Sequence, residues 1–235
     1  MTDYPFTAAS LDALRQWDTP TICNALELVV PHRRGHGFTV RPLVAADPSA
    51  QPICGLARTA TIRAAAPSGR APEVDRAARL GWYEYVAAAA MPTVTVVQDL
   101  DDTPGTGAFW GEVHANLHAA LGAQGVVTNG SIRDLGMLPA GFQLLAGAVN
   151  PSHAFVHVVQ YGQEVTVHGM AVHHDAVVHA DRHGAVVIPH DAVAKLPEAL
   201  DLVARREAPI LELCRSREFT VAALRAVLAR VDEIH

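Results

Sequence analysis

"PTVTVVQDLDDTPGTGAFWGEVHANLHAALGAQGVVTNGSI", residues 92–132, decides the fold. Its first nine residues are mostly apolar and β-branched, the composition of a strand buried on both faces. A polar loop with two glycines, "DDTPGTGAFW" (101–110), comes next. "GEVHANLHAALGAQ" (111–124) reads as a helix and "GVVTNGSI" (125–132) as another strand, with Asn129-Gly130 suited to a tight turn where it ends. Strand, loop, helix and strand in that order form a crossover unit with its two strands parallel. Ligands gather where loops leave the C-terminal ends of such strands. The stretches 99–110 and 129–134 are therefore the places to look for a site.

The rest of the chain extends this α/β pattern. Residues 10–29 read as one or two helices, with Asp18 or Thr19 as a cap, Pro20 in the first turn, and Ile22, Ala25, Leu26 and Val29 as the buried stripe. "CGLARTATIR" (54–63) alternates as a strand does, "APSGRAP" (66–72) is a loop, and 73–90 is helical. Residues 142–189 are mostly β, and "ADRHGAVVIP" (180–189) is a hairpin turning at Asp181–Gly184. From Asp191 onward the pattern is helical, with Leu196, Leu200 and Val203 on one face. No repeat or linker divides the chain. One domain is expected over 1–235, its core at about 10–190 and a helical tail at 191–235.

Half the residues are hydrophobic and 18% are charged, enough for a sizeable core. The net charge of -6 and the lack of a basic stripe argue against nucleic acid as a partner. "PHRRGH" (31–36) is short and reads as a solvated loop. The three cysteines, Cys23, Cys54 and Cys214, are far apart and show no CxxC spacing, which suits a reducing compartment. The N-terminal residues do not resemble a signal peptide, and no apolar run nears the ~20 residues that span a bilayer. A cytoplasmic protein that does not enter membranes is expected.

Several groups are candidates for chemistry. Gly111 stands at a helix mouth with Glu112 in the first turn. The free N–H groups of Gly111, Glu112 and Val113 can hold a carboxylate, or Glu112 can simply complement the helix dipole. Arg133 offers a planar fork for carboxylate or enolate oxygen, and Asp134 can hold a hard divalent ion. Taken alone, however, the pair reads as a loop ion pair. His114 and His118 have an i, i+4 spacing that can bind zinc, but there is no evident third ligand, so a solvated or partly buried face is the plainer reading. His153 and His157 share a face if "SHAFVHV" is extended, and then they line a cleft or serve the fold. The same two readings apply to His179 and His183, while His173 and His174 adjoin a turn and are expected exposed. "GTG" at 105–107 is too short to indicate a nucleotide.

Together these motifs are more specific. "WGEVHANLHAALGAQGVVTNGSIRD" (110–134) resembles the signature of the RraA-like family, in which a Gly-Glu helix start precedes an Arg-Asp pair by about twenty residues. "WDTPTICNALEL" (17–28) and "VQYGQEVTVHGMAVHHDAVVHADRHGAVVIP" (159–189) resemble that family's first helix and closing β region. The resemblance implies a single-domain α/β/β/α sandwich assembled as a homotrimer or homohexamer, with sites between subunits. It also implies one of two functions. One is a class II pyruvate aldolase, a metal-dependent lyase that cleaves 4-hydroxy-4-methyl-2-oxoglutarate or 4-carboxy-4-hydroxy-2-oxoadipate and decarboxylates oxaloacetate. The other is a non-catalytic regulator of ribonuclease activity. A different 2-oxo-acid or sugar-acid reaction using the histidines, such as dehydration, is a third possibility.

Carried over by position, Asp134 is the protein ligand of Mg²⁺ or Mn²⁺ and Arg133 faces the 2-oxo oxygen. Glu112 is the acid of the site, and the backbone of Gly111, Glu112 and Val113 holds the substrate carboxylate. This chain departs from the aldolase pattern at Met137, where an acidic residue is usual, and at Asn129, where many relatives have Asp. Lys195 is the only lysine and lies in the tail, which suits an enolate route with no Schiff base.

Overall fold

The computed structural model describes residues 4–234. The elements in order are α1 (Ala8–Leu14), α2 (Thr19–Val29), a 3₁₀ turn (Pro31–Arg33), β1 (Val44–Ala45), β2 (Ile53–Arg63), α3 (Pro72–Ala87), β3 (Thr93–Asp99), β4 (Ala108–Trp110), α4 (Glu112–Ala120), β5 (Ala123–Ile132), β6 (Gln143–Val149), β7 (His157–Tyr161), β8 (Val165–Val167), β9 (Met170–Val172), β10 (Val177–Asp181), β11 (Gly184–Ile188), α5 (Leu196–Arg215) and α6 (Val221–Val231). The main sheet runs β1-β6-β5-β3-β2-β10-β11. Its centre is parallel: β2 with β3, β3 with β5, and β5 with β6. The outer pairs are antiparallel. Two short strands extend strand ends, β4 beside β5 and β7 beside β2. The β8–β9 hairpin forms a small sheet of its own.

Successive side chains of the central strands point to opposite faces, and both faces are covered. Val97, Val126 and Leu144 pack with Trp82 and Val86 of α3 and Ala115 of α4. Their neighbours Val96, Val127 and Leu145 pack with Val165, Val167, Met170 and Val172 of the small hairpin. This two-sided burial is why "PTVTVV" is a continuous apolar run rather than an alternating one. At the β10–β11 end, Leu56, Val177, Val186 and Ile188 pack against Ile22 and Leu26 of α2 and Leu196 and Leu200 of α5. The first half of the tail is thus part of the core. On α6 only Val227 is buried.

Local chemistry sets the helix starts. The Asp18 carboxylate accepts the Thr21 N–H at 2.9 Å, and Pro20 occupies the first turn of α2. Thr7 and Ser10 form a reciprocal capping box on α1. The hairpin turn at Asp181–Gly184 is as expected, with Asp181 opposite Gly184.

Three local expectations are corrected. The loop 101–110 contains β4, which adds to β5. Asn129-Gly130 is not a turn: β5 runs on to Ile132 through a register shift between Thr128 and Ser131. The Asn129 side chain holds the strand there, since its Oδ1 accepts the Asp99 N–H at 2.7 Å and its Nδ2 donates to the Asp99 carbonyl at 2.9 Å. Finally, "SHAFVHV" is not extended throughout. Residues 151–156 are irregular, Ala154 has φ +45°, and β7 begins only at His157.

Candidate active site

Arg133 and Asp134 follow the C-terminal end of β5. The Arg133 N–H donates to the Trp110 carbonyl at 2.9 Å, which ties the pair to the end of β4. One residue after Trp110, Gly111 begins α4 with no side-chain cap of its own. Asp134 supplies that cap from across the turn: its Oδ2 accepts the Glu112 N–H at 3.1 Å. Arg133 Nε lies 3.6 Å from the same oxygen. Asp134 adopts φ +58°, the left-handed region that a short polar side chain tolerates better than most.

Gly111 makes this approach possible. Its backbone is extended, with φ −159°, so conformation does not demand glycine. A Cβ on it would lie 2.5 Å from Asp134 Oδ2 and 3.0 Å from Arg133 Cγ, which is why space demands it. At this helix mouth the Glu112 N–H is taken by the protein's own carboxylate.

Arg133 and Gly111 border a cavity of about 860 Å³ between α3, α4 and the 151–158 segment. Val113, His114, His153 and His157 also line it. Asp134 and Glu112 lie outside that lining. Glu112 is exposed, and its side chain makes no hydrogen bond or ion pair among the described residues. His153 and His157 therefore do meet in one cleft, although not through a shared strand face. Each Nδ1 lies 2.8 Å from a backbone carbonyl, Ala154 for His153 and Phe155 for His157. A carbonyl only accepts, so each Nδ1 is the donor of its bond, and the acceptor nitrogen of the neutral ring is Nε2.

The buried histidines serve the fold. His118 is fully buried, not solvated: its Nε2 accepts from Trp82 Nε1 at 2.9 Å and its Nδ1 donates to the His114 carbonyl at 2.8 Å. Burial pulls its pKa down to about 3, and that of His114 down to about 4, so both are neutral. His114 Nε2 meets the Tyr83 hydroxyl at 3.1 Å. His179 is buried between Thr19 Oγ1 and the Leu14 carbonyl, and burial lowers its pKa to about 4. His183 lies 3.1 Å from Asp181, and His173 and His174 are exposed beside their turn. The three cysteines are free, and burial pushes the Cys54 thiol up to about 12 and Cys23 up to about 11, far from a nucleophile's range.

Among the described residues, no cluster of three or more His, Cys, Asp or Glu side chains forms a metal cage. The Asp134 carboxylate, about one-third exposed and with Oδ1 outside the helix cap, fits a different kind of site. Mg²⁺ or Mn²⁺ held by one carboxylate keeps water and substrate oxygens at its other positions. Sequence reasoning missed three arginines that line the cavity, Arg70, Arg76 and Arg79. The signal was present, since Arg76 and Arg79 stand at i, i+3 on one helix face. It also missed Arg58, which is buried and paired with Asp175.

The Aldolase/RraA family model, described as RraA-like, matches residues 19–187. The chain belongs to the RraA-like family. That family includes both aldolase or decarboxylase enzymes and ribonuclease inhibitors. An uncharacterized protein from Pseudomonas syringae pv. tomato superposes with TM-score 0.71 at 18% identity, covering 100% of this chain and 98% of that one. RraAS2 of Streptomyces coelicolor, an unusual member of the RNase ES inhibitor RraA family, gives TM-score 0.68 at 21% identity, covering 88% of this chain and 98% of that one. A structure described as a novel cellulase from microbes associated with the gut ecosystem gives TM-score 0.69 at 13% identity, covering 88% of this chain and 89% of that one. At these identities the structural likeness concerns the fold alone. No curated protein matches the sequence. Among the described residues, no helix is long and apolar enough to cross a membrane.

Proposed function

We propose that this RraA-like protein is a divalent-metal-dependent carbon–carbon lyase. It cleaves or decarboxylates a small 2-oxo acid and releases pyruvate or a related enolate. The observation that carries this reading is the convergence of Arg133, Asp134 and Gly111 at the edge of a cavity whose charged lining is mainly cationic. Asp134 would hold Mg²⁺ or Mn²⁺, which when bound supplies a Lewis acid for the 2-oxo acid. Cleavage of a 4-hydroxy-2-oxo acid, or loss of CO₂ from oxaloacetate, moves an electron pair onto the 2-oxo oxygen. Arg133 donates to that oxygen and stabilises the charge where it develops.

For cleavage, the 4-hydroxyl proton must leave, and Nε2 of His153 or His157 can accept it. Lys195, the only lysine, does not line the cavity, so Arg133 rather than a Schiff base supplies the electron sink from the protein side. Glu112 is exposed, and its contribution is its backbone N–H, which fixes Asp134. In this reading the chain works as a homotrimer or homohexamer, with the exposed Val113, Leu135, Met137 and Phe155 around the site placed to be covered by a second subunit.

The test is pyruvate release from oxaloacetate with Mg²⁺, corrected for decarboxylation by free metal. Asp134→Ala should lose metal-dependent turnover, and Arg133→Ala should lose most of the rate. Full activity of Asp134→Ala in excess chelator would sink the proposal. Membership of the RraA-like family, which includes ribonuclease inhibitors, supports a second reading, a non-catalytic ribonuclease regulator. That reading gains if pyruvate release stays at the free-metal rate while the protein inhibits a ribonuclease.

A further inference from the structure

The lyase reading leaves one wall of the cavity unused. The charged groups lining the cavity are four arginines, Arg70, Arg76, Arg79 and Arg133, and one aspartate, Asp75. This local excess of positive charge stands against a net charge of -6 for the whole chain, so it is not a bulk property. Arg70 is already committed: it pairs with Asp75 at 2.6 Å and donates to the Val158 carbonyl at 2.6 Å. Arg76 and Arg79 are different. They are exposed, stand one turn apart on α3, and make no hydrogen bond or ion pair among the described residues.

Arg79 and Arg133 also bear on one point. After burial, the charges of Arg79 and then Arg133 are among the causes that hold His114 neutral. His114 thus lies within electrostatic reach of both guanidinium groups and adds no charge of its own. The same cavity is also lined by apolar side chains, Phe109, Val113, Phe155 and Val158. Cationic groups from α3 and from Arg133 around one partly apolar space suit a short carbon chain that carries two anions.

We propose that Arg76 and Arg79 form a second anion subsite that selects the substrate. It would receive a carboxylate or phosphoryl group at the far end of the ligand whose 2-oxo acid end meets Arg133. This rests on the 2-oxo acid reading of the Arg133 end. A ligand with one anion would leave the Arg76 and Arg79 forks unmet.

The experiment is calorimetric titration of the full chain, with Mg²⁺, using three ligands of similar chain length. These are 2-oxoglutarate, 2-oxopentanoate, which has a methyl in place of the distal carboxylate, and 4-phosphono-2-oxobutanoate. The wild-type protein should prefer 2-oxoglutarate over 2-oxopentanoate by about tenfold or more, the scale of a charge-assisted hydrogen bond. In Arg76→Gln/Arg79→Gln that ratio should fall to within about twofold, and added salt should narrow it in the wild type. Arg79→Glu should invert it. Both side chains are exposed, and a thermal melt confirms that the variants are folded. Tighter binding of the phosphonate than of 2-oxoglutarate identifies a phosphoryl group as the second anion, and weaker binding identifies a carboxylate. Equal affinities in the wild type, or a preference that survives the double substitution, would overturn the subsite and leave the 2-oxo acid reading standing. Binding of none of the three would overturn both.

Discussion

Gly111→Ala separates the working geometry of the site from the stability of the fold. The backbone at Gly111 is extended, so alanine adopts it without strain. The new Cβ, however, would stand 2.5 Å from Asp134 Oδ2, where ordinary contact begins near 3.4 Å. The carboxylate must retreat by about 0.9 Å, or the helix mouth must move away from it. Arg133 must shift as well, because its Cγ and Nε lie 3.0 and 3.2 Å from the same point. A misplacement of about 1 Å in a positioning group costs a rate factor of about 10². The cost in stability is smaller, about 1 kcal/mol, for a weakened bond from Glu112 N–H to Asp134. The assay is metal-dependent pyruvate release from oxaloacetate beside a urea melt. Expected are a turnover about a hundredfold lower, a higher Mg²⁺ requirement and a nearly unchanged melt. Wild-type turnover and Mg²⁺ dependence in Gly111→Ala would refute the claim that this close approach builds the site.

Other outcomes follow from the same coordinates. His118 and His179 are fully buried, with pKa values pulled down to about 3 and about 4, whereas the unfolded chain titrates near 6.5. The unfolded state then binds more protons as the pH falls through 6.5. The stability these two groups allow is therefore complete above that pH and lost below it, by roughly 2 kcal/mol per histidine at pH 5. Urea midpoints at pH 7 and pH 5 check this, and a flat profile would contradict it. Asn129→Asp removes the donor to the Asp99 carbonyl and places a second carboxylate near buried Asp99, whose own pKa burial already raises. It should destabilise the fold by about 1–3 kcal/mol, with Asn129→Ala costing a similar amount and no added pH dependence. Arg58→Met should leave Asp175 with only Tyr4 and His174 among the described residues and lower stability by about 3 kcal/mol, read from the urea midpoint, because Arg58 is buried and paired with that carboxylate. Asp175→Asn, which leaves the buried Arg58 charge without its carboxylate, should cost a similar amount.

Much of the architecture was legible because local chemistry and global packing agree. The apolar run of β3, the capped start of α2 and the hairpin at Asp181–Gly184 each depend on neighbours within a few residues. Where the reading failed, a distant group decided the outcome. Asn129-Gly130 has the composition of a turn, yet Asn129 is held in the sheet by both backbone groups of Asp99, thirty positions earlier. His118 has the spacing of a metal ligand, yet Trp82 and the His114 carbonyl satisfy both of its nitrogens in the core.

The same division applies to the site. By itself the sequence placed Gly111 and Glu112 at a helix start and Arg133 and Asp134 just past a strand end, since periodicity and turn chemistry are local. It left open whether the two pairs meet and whether Arg133-Asp134 is more than a loop ion pair. The tertiary structure answered the first, because parallel β4 and β5 bring Trp110 and Arg133 to one sheet edge and the missing Cβ of Gly111 lets Asp134 reach the helix mouth. It alone added Arg76 and Arg79 to the same cavity. Charges on separate elements act together only when the fold sets them around one space, and their spacing along the chain carries no record of that distance.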